Sequence, residues 1–221
     1  MNRPRLTLKL ATSLDGRIAA ASGESRWITS EAARAEVQKL RAAHDAVMIG
    51  AGTARADDPE LLARTEPPPK RQPVRVVLDT EFSLAPRGRL FDTLDRPTLL
   101  VIGAADGDAV RRKALEDAGA RTEGVARGPV GIDAEAALAV MLGHGMERVL
   151  CEGGGQLAAS LIAAEVVDCV EWFRAPIVLG AEGRPGVAAL ALSSLAAAPR
   201  FKRVALRELG PDIWESYERV S

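Results

Sequence analysis

Two segments of this chain each run from an apolar stretch into glycines and then into a helix-forming run. Together they narrow the folds open to it more than any other feature. The first is residues 46–59, Ala-Val-Met-Ile-Gly-Ala-Gly-Thr-Ala-Arg-Ala-Asp-Asp-Pro. The second is residues 148–158, Arg-Val-Leu-Cys-Glu-Gly-Gly-Gly-Gln-Leu-Ala. Each reads as a buried strand that ends in glycines and opens a helix. That geometry places backbone N–H groups and the positive end of a helix dipole at the carboxyl edge of a sheet, where phosphates bind. Two such turns in one small domain point to a nucleotide-like cofactor lying across the sheet edge.

The remaining pattern supplies the sheet and its covering helices. Residues 6–11 alternate with period two, as a strand does. Residues 18–28 read as a loop closing on Trp27. Thr29 or Ser30 caps a helix running to about residue 44, with Glu31 in its first turn and Ala33, Val37 and Leu40 on one face. Residues 45–50 form an unbroken apolar run, as expected for a strand covered on both faces. Three consecutive prolines within residues 65–73 place that stretch in a surface loop. Further strands are expected at 74–79, 98–102, 121–125, 148–151 and 168–174. Helices are expected at 107–118, 133–143 and from 155 to about 164. Residues 201–209 and 213–220, joined by Gly210 and Pro211, read as a closing hairpin. Strands alternating with helices imply an α/β sandwich with a mostly parallel sheet, and the hairpin makes that sheet mixed.

Composition excludes several classes. The 221 residues suit a single domain with a full core, able to bury roughly 70% of the unfolded surface. The formal net charge of -1 argues against nucleic acid or an anionic membrane as partner, so a phosphorylated substrate must be held by local arginines. Cys151 and Cys169 have no Cys or His neighbour at ligand spacing, so they read as buried reduced thiols and no metal site is expected. The N-terminus leads directly into a strand pattern without an apolar leader, and a cytoplasmic protein is expected. His44 and His144 form no constellation with Ser or Cys, which leaves hydrolase chemistry without support.

Several residues carry two readings at this stage. The spacing Gly153-x-Gly155-x-x-Ala158 fits either a pyrophosphate cradle or a tight strand-to-helix turn without a ligand. Glu152, at the end of a strand, either caps backbone amides or points into a substrate pocket. Asp57-Asp58-Pro59 is at least a turn. Lys9, between Leu8 and Leu10, points to the other face of its strand and reaches either solvent or a cleft. Trp27 is core packing or a cleft wall. Arg41 and Arg64 are by default solvated.

Taken in order, these pieces are familiar as a set. They are residues 9–17 (Lys-Leu-Ala-Thr-Ser-Leu-Asp-Gly-Arg), 23–29 (Gly-Glu-Ser-Arg-Trp-Ile-Thr), Ala56-Asp57-Asp58-Pro59-x-Leu61, 73–79 (Pro-Val-Arg-Val-Val-Leu-Asp), Glu152-Gly153-Gly154-Gly155 and Ala175-Pro176-x-x-x-Gly180. The chain closely resembles, over residues 4–220, the reductase domain of bacterial bifunctional riboflavin-biosynthesis deaminase/reductases. The resemblance implies a three-layer, dihydrofolate-reductase-like α/β fold. It implies NADPH-dependent reduction of 5-amino-6-(5-phosphoribosylamino)uracil to its ribitylamino counterpart. It puts Ala11, Trp27, Thr53, Asp57, Thr80, Gly154, Gly155, Gln156 and Leu157 on the cofactor side. Ser25, Arg41, Leu61, Arg64 and Glu152 fall on the substrate side, with Lys9 facing the ribose, and Lys9, Asp57 and Glu152 are the catalytic candidates. The guanidinium forks of Arg41 and Arg64 suit the substrate phosphate. Relatives pair through their terminal strands, so a homodimer is implied. The full family proteins also carry a zinc deaminase, whose His-x-Glu and Cys-x-x-Cys signatures are not found in this sequence; a single reductase domain over 1–221 is the expectation. The alternatives are a reductase of the undeaminated diaminopyrimidinone or of a pterin, and an NADPH-binding protein without catalysis.

Overall fold

In the computed structural model, which describes residues 2–94 and 97–220, helices open on Ser or Asp in some cases and on glycine in others, and the buried strands are the apolar runs. In chain order the elements are β1 (Arg5–Thr12), β2 (Arg17–Ala19), α1 (Glu31–Ala42), β3 (Ala46–Gly50), α2 (Ala51–Asp57), β4 (Val74–Leu78) and β5 (Leu99–Ala104). There follow α3 (Ala109–Asp117), β6 (Arg121–Val125), α4 (Ala134–Gly143), β7 (Arg148–Cys151), α5 (Gly155–Ala163), β8 (Cys169–Arg174) and β9 (Arg184–Pro185). A single 3-10 turn at Leu195–Ala197 precedes β10 (Phe201–Leu209) and β11 (Asp212–Arg219). The chain divides into two compact units, one of Met1–Arg5 with Gln38–Gly153, the other of Leu6–Val37 with Gly154–Ser221.

The first unit holds five parallel strands in the order β7-β3-β4-β5-β6. Every residue of β5, and all of β3 but its last, is buried, as strands covered on both faces require. Val47, Ile49, Val77 and Val101 pack with Phe82 and Leu115 into one apolar cluster. Helices α3 and α4 start on aspartates: Asp108 accepts the N–H groups of Val110 and Arg111, and Asp133 accepts that of Ala136 at 2.7 Å. Both end two residues before glycines in the left-handed region, Gly119 and Gly145. Helix α2 follows β3 without a break and stops at Asp58, whose φ of 40° terminates it.

Among the described residues the second unit pairs β10-β11-β8-β1 in that order, and β2 with β9 as a separate ribbon. β1 and β8 run parallel, while β8 with β11 and β11 with β10 are antiparallel. Ser30 caps α1, its Oγ accepting the Ala33 N–H at 3.3 Å. The α/β class, the mostly parallel pairing and the closing hairpin are as the sequence implied. One local expectation is corrected: residues 18 and 19, within the stretch read as loop, belong to β2, which pairs with β9. Three residues are too few to show period two, and the pairing partner lies far along the chain.

Candidate active site

Glu152 follows β7 directly, and Arg41 sits in the last turn of α1, within the first unit. The two side chains meet in a forked ion pair. Arg41 Nε donates to Glu152 Oε1 at 2.6 Å and Arg41 Nη2 to Oε2 at 3.0 Å. The third nitrogen, Nη1, donates to the Leu62 carbonyl at 3.0 Å. The pair is largely shielded from water, with 17% of the arginine side chain and 8% of the glutamate exposed. Burial draws the Arg41 pKa down, but the charge and hydrogen bonds of Glu152 outweigh it and leave the pKa above its ordinary value. Removing one partner of such a buried pair typically costs about 3–5 kcal/mol, because the other charge is stranded.

The loop after α2 hangs on the same helix turn. Gln38, three residues before Arg41 and so on the same face, accepts the Arg64 N–H at 2.9 Å. Gln72 brackets Ala63, accepting its N–H at 2.8 Å and donating to its carbonyl at 2.9 Å. Leu61 is buried with φ 57°. The Arg64 side chain projects from the loop, 60% exposed, and pairs with Glu60. Arg89 reaches the same Glu60 carboxylate at 2.6 Å. The hydrogen bonds from Arg64 and then Arg89 hold the Glu60 carboxyl below its ordinary pKa. Sequence reasoning missed Gln38, Gln72, Glu60 and Arg89. Of these only Gln38 left a trace, its helical spacing from Arg41.

The other first-unit candidates stand on α2 and after β4. Thr53 is half-buried in α2, and Asp57 is exposed at its last residue. Thr80 follows β4, its carbonyl accepting the Ala104 N–H at 2.9 Å.

In the second unit, Lys9 and Ala11 share one face of β1 and are half-buried between fully buried neighbours. Lys9 stands in register with Glu171 of β8, whose carboxylate accepts from Trp214 Nε1 and Ser216 Oγ at 2.6 Å each. Ser25 is half-buried in the loop before α1. Trp27 is 71% exposed and borders an open cleft of about 520 Å³ with Thr29, Arg34, Pro176, Ile177 and Asp212. It is a cleft wall and not core packing. Gly154, Gly155, Gln156 and Leu157 form the start of α5, which no side chain caps. Gly155 is glycine for a packing reason: a Cβ there would lie 2.3 Å from the Pro185 carbonyl oxygen. Both cysteines are buried, and burial pushes the Cys151 thiol up to about 12. Among the described residues no group of three His, Cys, Asp or Glu is disposed to hold a metal, and no helix is long and apolar enough to cross a membrane.

Comparison with known proteins adds the following. The family described as RibD C-terminal domain matches residues 4–214. The riboflavin biosynthesis protein RibD of Bacillus amyloliquefaciens is 33% identical over 211 residues, covering 95% of this chain and 56% of that protein. The chain thus spans little more than half the length of the bacterial curated relatives it matches. A 2,5-diamino-6-ribosylamino-4(3H)-pyrimidinone 5′-phosphate reductase from Methanothermobacter thermautotrophicus is 34% identical over 217 residues, covering 97% of this chain and 98% of the relative. Among solved structures, Acinetobacter baumannii RibD superposes with a TM-score of 0.85 at 30% identity, covering 100% of this chain and 59% of that one. The fold extends to Enterococcus faecalis dihydrofolate reductase, at a TM-score of 0.50 and 14% identity over 98% of this chain and 97% of that one.

Proposed function

The chain belongs to the family of RibD C-terminal domains, and on that premise we propose that it is a cytoplasmic, NADPH-dependent pyrimidine reductase of riboflavin biosynthesis. Its substrate is 5-amino-6-(5-phosphoribosylamino)uracil, and reduction at ribose C1′ gives 5-amino-6-(5-phosphoribitylamino)uracil. The observation that carries this reading is the family match over residues 4–214.

The residues present suit a dinucleotide. Helices α3 and α4 begin on capping aspartates, whereas α5 begins on Gly154 with no side-chain cap. An aspartate at that position would repel a phosphate; a glycine leaves the N–H groups of the first turn to an anion. Gly154, Gly155, Gln156 and Leu157 are assigned to the cofactor's phosphates, with Ala11, Trp27, Thr53, Asp57 and Thr80 along its length. When bound, the reduced nicotinamide supplies the hydride.

The chain's own groups orient the sugar and stabilise charge. Glu152, held in its ion pair with Arg41, stabilises a protonated imine nitrogen at C1′ electrostatically. Lys9 hydrogen-bonds the ribose oxygens. Arg64 holds the 5′-phosphate, and Ser25 and Leu61 border the pyrimidine. A homodimer through β10 and β11 belongs to the same reading; it is supported by the exposure along β10, an edge strand of the kind proteins commonly cover.

A second substrate has a specific observation behind it. The Methanothermobacter relative that matches end to end is a reductase of the diaminopyrimidinone, which still carries the amino group that a deaminase removes. The test is nicotinamide oxidation by the purified chain with the substrate made in place by a separate deaminase. Oxidation only with the deaminase present supports the uracil. Oxidation without it assigns the diaminopyrimidinone. NADPH binding without oxidation in either case overturns the reductase reading.

A further inference from the structure

We propose that Arg55, with the hydroxyls of Thr80 and Ser83, binds the 2′-phosphate of the dinucleotide and so selects NADPH over NADH. The inference rests on the nicotinamide-reductase reading above and names the residue that decides between its two possible cofactors. All the residues concerned belong to the first unit, at the carboxyl edge of its parallel strands, where open α/β sheets take their ligands. Arg55 is exposed in the last turn of α2, and its Nη1 donates to Ser83 Oγ at 2.9 Å. Among the described residues that neutral hydroxyl is its one partner, and no carboxylate lies within ion-pair distance. Nε and Nη2 remain as an open fork, the edge of a guanidinium that holds two oxygens of one phosphate.

The acids of this edge are committed elsewhere. In dinucleotide-binding sheets an acid near a strand end hydrogen-bonds the free ribose 2′-hydroxyl of NADH, whereas a nearby arginine accommodates the 2′-phosphate of NADPH. Asp79 stands directly after β4 but is only 3% exposed. One of its oxygens accepts from Ser83 Oγ at 2.9 Å and the other from the Leu84 N–H at 2.6 Å. It therefore orients Ser83 and is closed to a ribose. Glu81 and Asp106 are both held by Arg127, at 2.7 and 2.9 Å. Arg127 is thus occupied in neutralising two carboxylates that would otherwise repel a phosphate, while the Arg55 fork is open. Thr80 adds a second hydroxyl, half-buried and without a protein partner among the described residues. The chain passes that hydroxyl at Gly131, with φ 71°, where a Cβ would lie 2.9 Å from Thr80 Oγ1. The glycine leaves the hydroxyl open to a ligand.

Calorimetric titration of the purified chain tests this without turnover. The ligands are NADPH, NADH and two fragments, adenosine 2′,5′-bisphosphate and 5′-AMP, which differ only in the 2′-phosphate. The unaltered chain should bind the bisphosphate at least about tenfold more tightly than 5′-AMP. Arg55→Ala should weaken the bisphosphate and NADPH by about ten- to a hundredfold, and change 5′-AMP and NADH by no more than about twofold. Thr80→Val should weaken the same two phosphorylated ligands by a smaller factor, and Arg127→Ala should cost the bisphosphate less than Arg55→Ala does. Equal weakening of the two fragments by Arg55→Ala, or no weakening of either, overturns the proposal. A larger loss of the bisphosphate from Arg127→Ala also overturns it and moves the phosphate to that residue. Equal binding of NADPH and NADH by an unaltered chain that turns over overturns the proposal and leaves the reductase reading standing. Binding of neither dinucleotide, with no oxidation, overturns the reductase reading itself.

Discussion

The Arg34 guanidinium lies over the indole of Trp27, with its carbon 4.3 Å from the ring centroid, while its Nη1 donates to the Thr29 carbonyl at 2.7 Å. A tryptophan this exposed gains little from burial, so the stacked cation braces it. Such a contact is worth about 0.5–1 kcal/mol at an exposed site. Arg34→Ala should raise the KM for NADPH about two- to fivefold, with kcat changing less. Steady-state kinetics check this. An equal fall in kcat and kcat/KM would place the contact in the transition state and remove Trp27 from cofactor binding.

Arg64→Ala tests the proposed phosphate site directly. A hydrogen bond to a charged group contributes about 1.5–3 kcal/mol, or about ten- to a hundredfold in KM. The KM for the phosphorylated substrate should rise by that factor while kcat stays within about threefold. An unchanged KM would remove Arg64 from the site.

Two glycines at the starts of helices should respond oppositely to alanine. At Gly155 the added methyl meets the Pro185 carbonyl oxygen at 2.3 Å, a backbone atom that also neighbours the Ala188 N–H bond to Gly155. The expected cost is about 1–3 kcal/mol, a fall in Tm of about 2–4 °C per kcal/mol for a chain of this length. At Gly52 nothing lies within 4 Å. Alanine there should be neutral or stabilising by up to about 1 kcal/mol. Thermal unfolding of both variants decides, and a Gly155→Ala protein as stable as the unaltered chain would contradict the close approach.

Asp15 accepts hydrogen bonds from Ser13 Oγ at 2.6 Å, from the Leu179 N–H at 3.1 Å and from the Gly180 N–H at 2.8 Å. The Ser13 bond first, then those backbone bonds, lower its pKa from 3.8 to about 2. A carboxyl depressed in the folded state stabilises it fully above the unfolded pKa, and that contribution is lost as the pH falls through the folded one. The stability difference between the unaltered chain and Asp15→Asn should therefore be constant above about pH 5, shrink below the unfolded value and close near the folded one. Urea unfolding across this range checks it; a difference that persists at the acid end would mean the asparagine effect is steric.

Much of this molecule is legible locally. Period two marked β1, the unbroken apolar run at 45–50 marked β3, and Thr29 or Ser30 marked the start of α1, because each signal acts within a few residues of chain. The glycine-ended turns at Gly50 and Gly153 to Gly155 and the run of family motifs brought the fold and the reductase reading within reach. Gly155 shows the limit of that logic. Its place in a fingerprint spacing left a phosphate cradle and a bare turn both open, and nothing in that spacing announced that its missing side chain also makes room for Pro185, thirty residues further on.

The sequence by itself determined most of the strands and helices and which residue types stand at their ends. Those choices follow from backbone sterics, capping and hydrophobic period, all short-range effects. Only the tertiary structure decided what the polar side chains do. Arg41, a solvated helix residue by every local criterion, meets Glu152 across 111 positions of chain, and Asp15 meets Gly180 across 165. The physical reason is that a charged side chain's role is fixed by the partner that accompanies it out of water, and the order in which strands pair selects that partner.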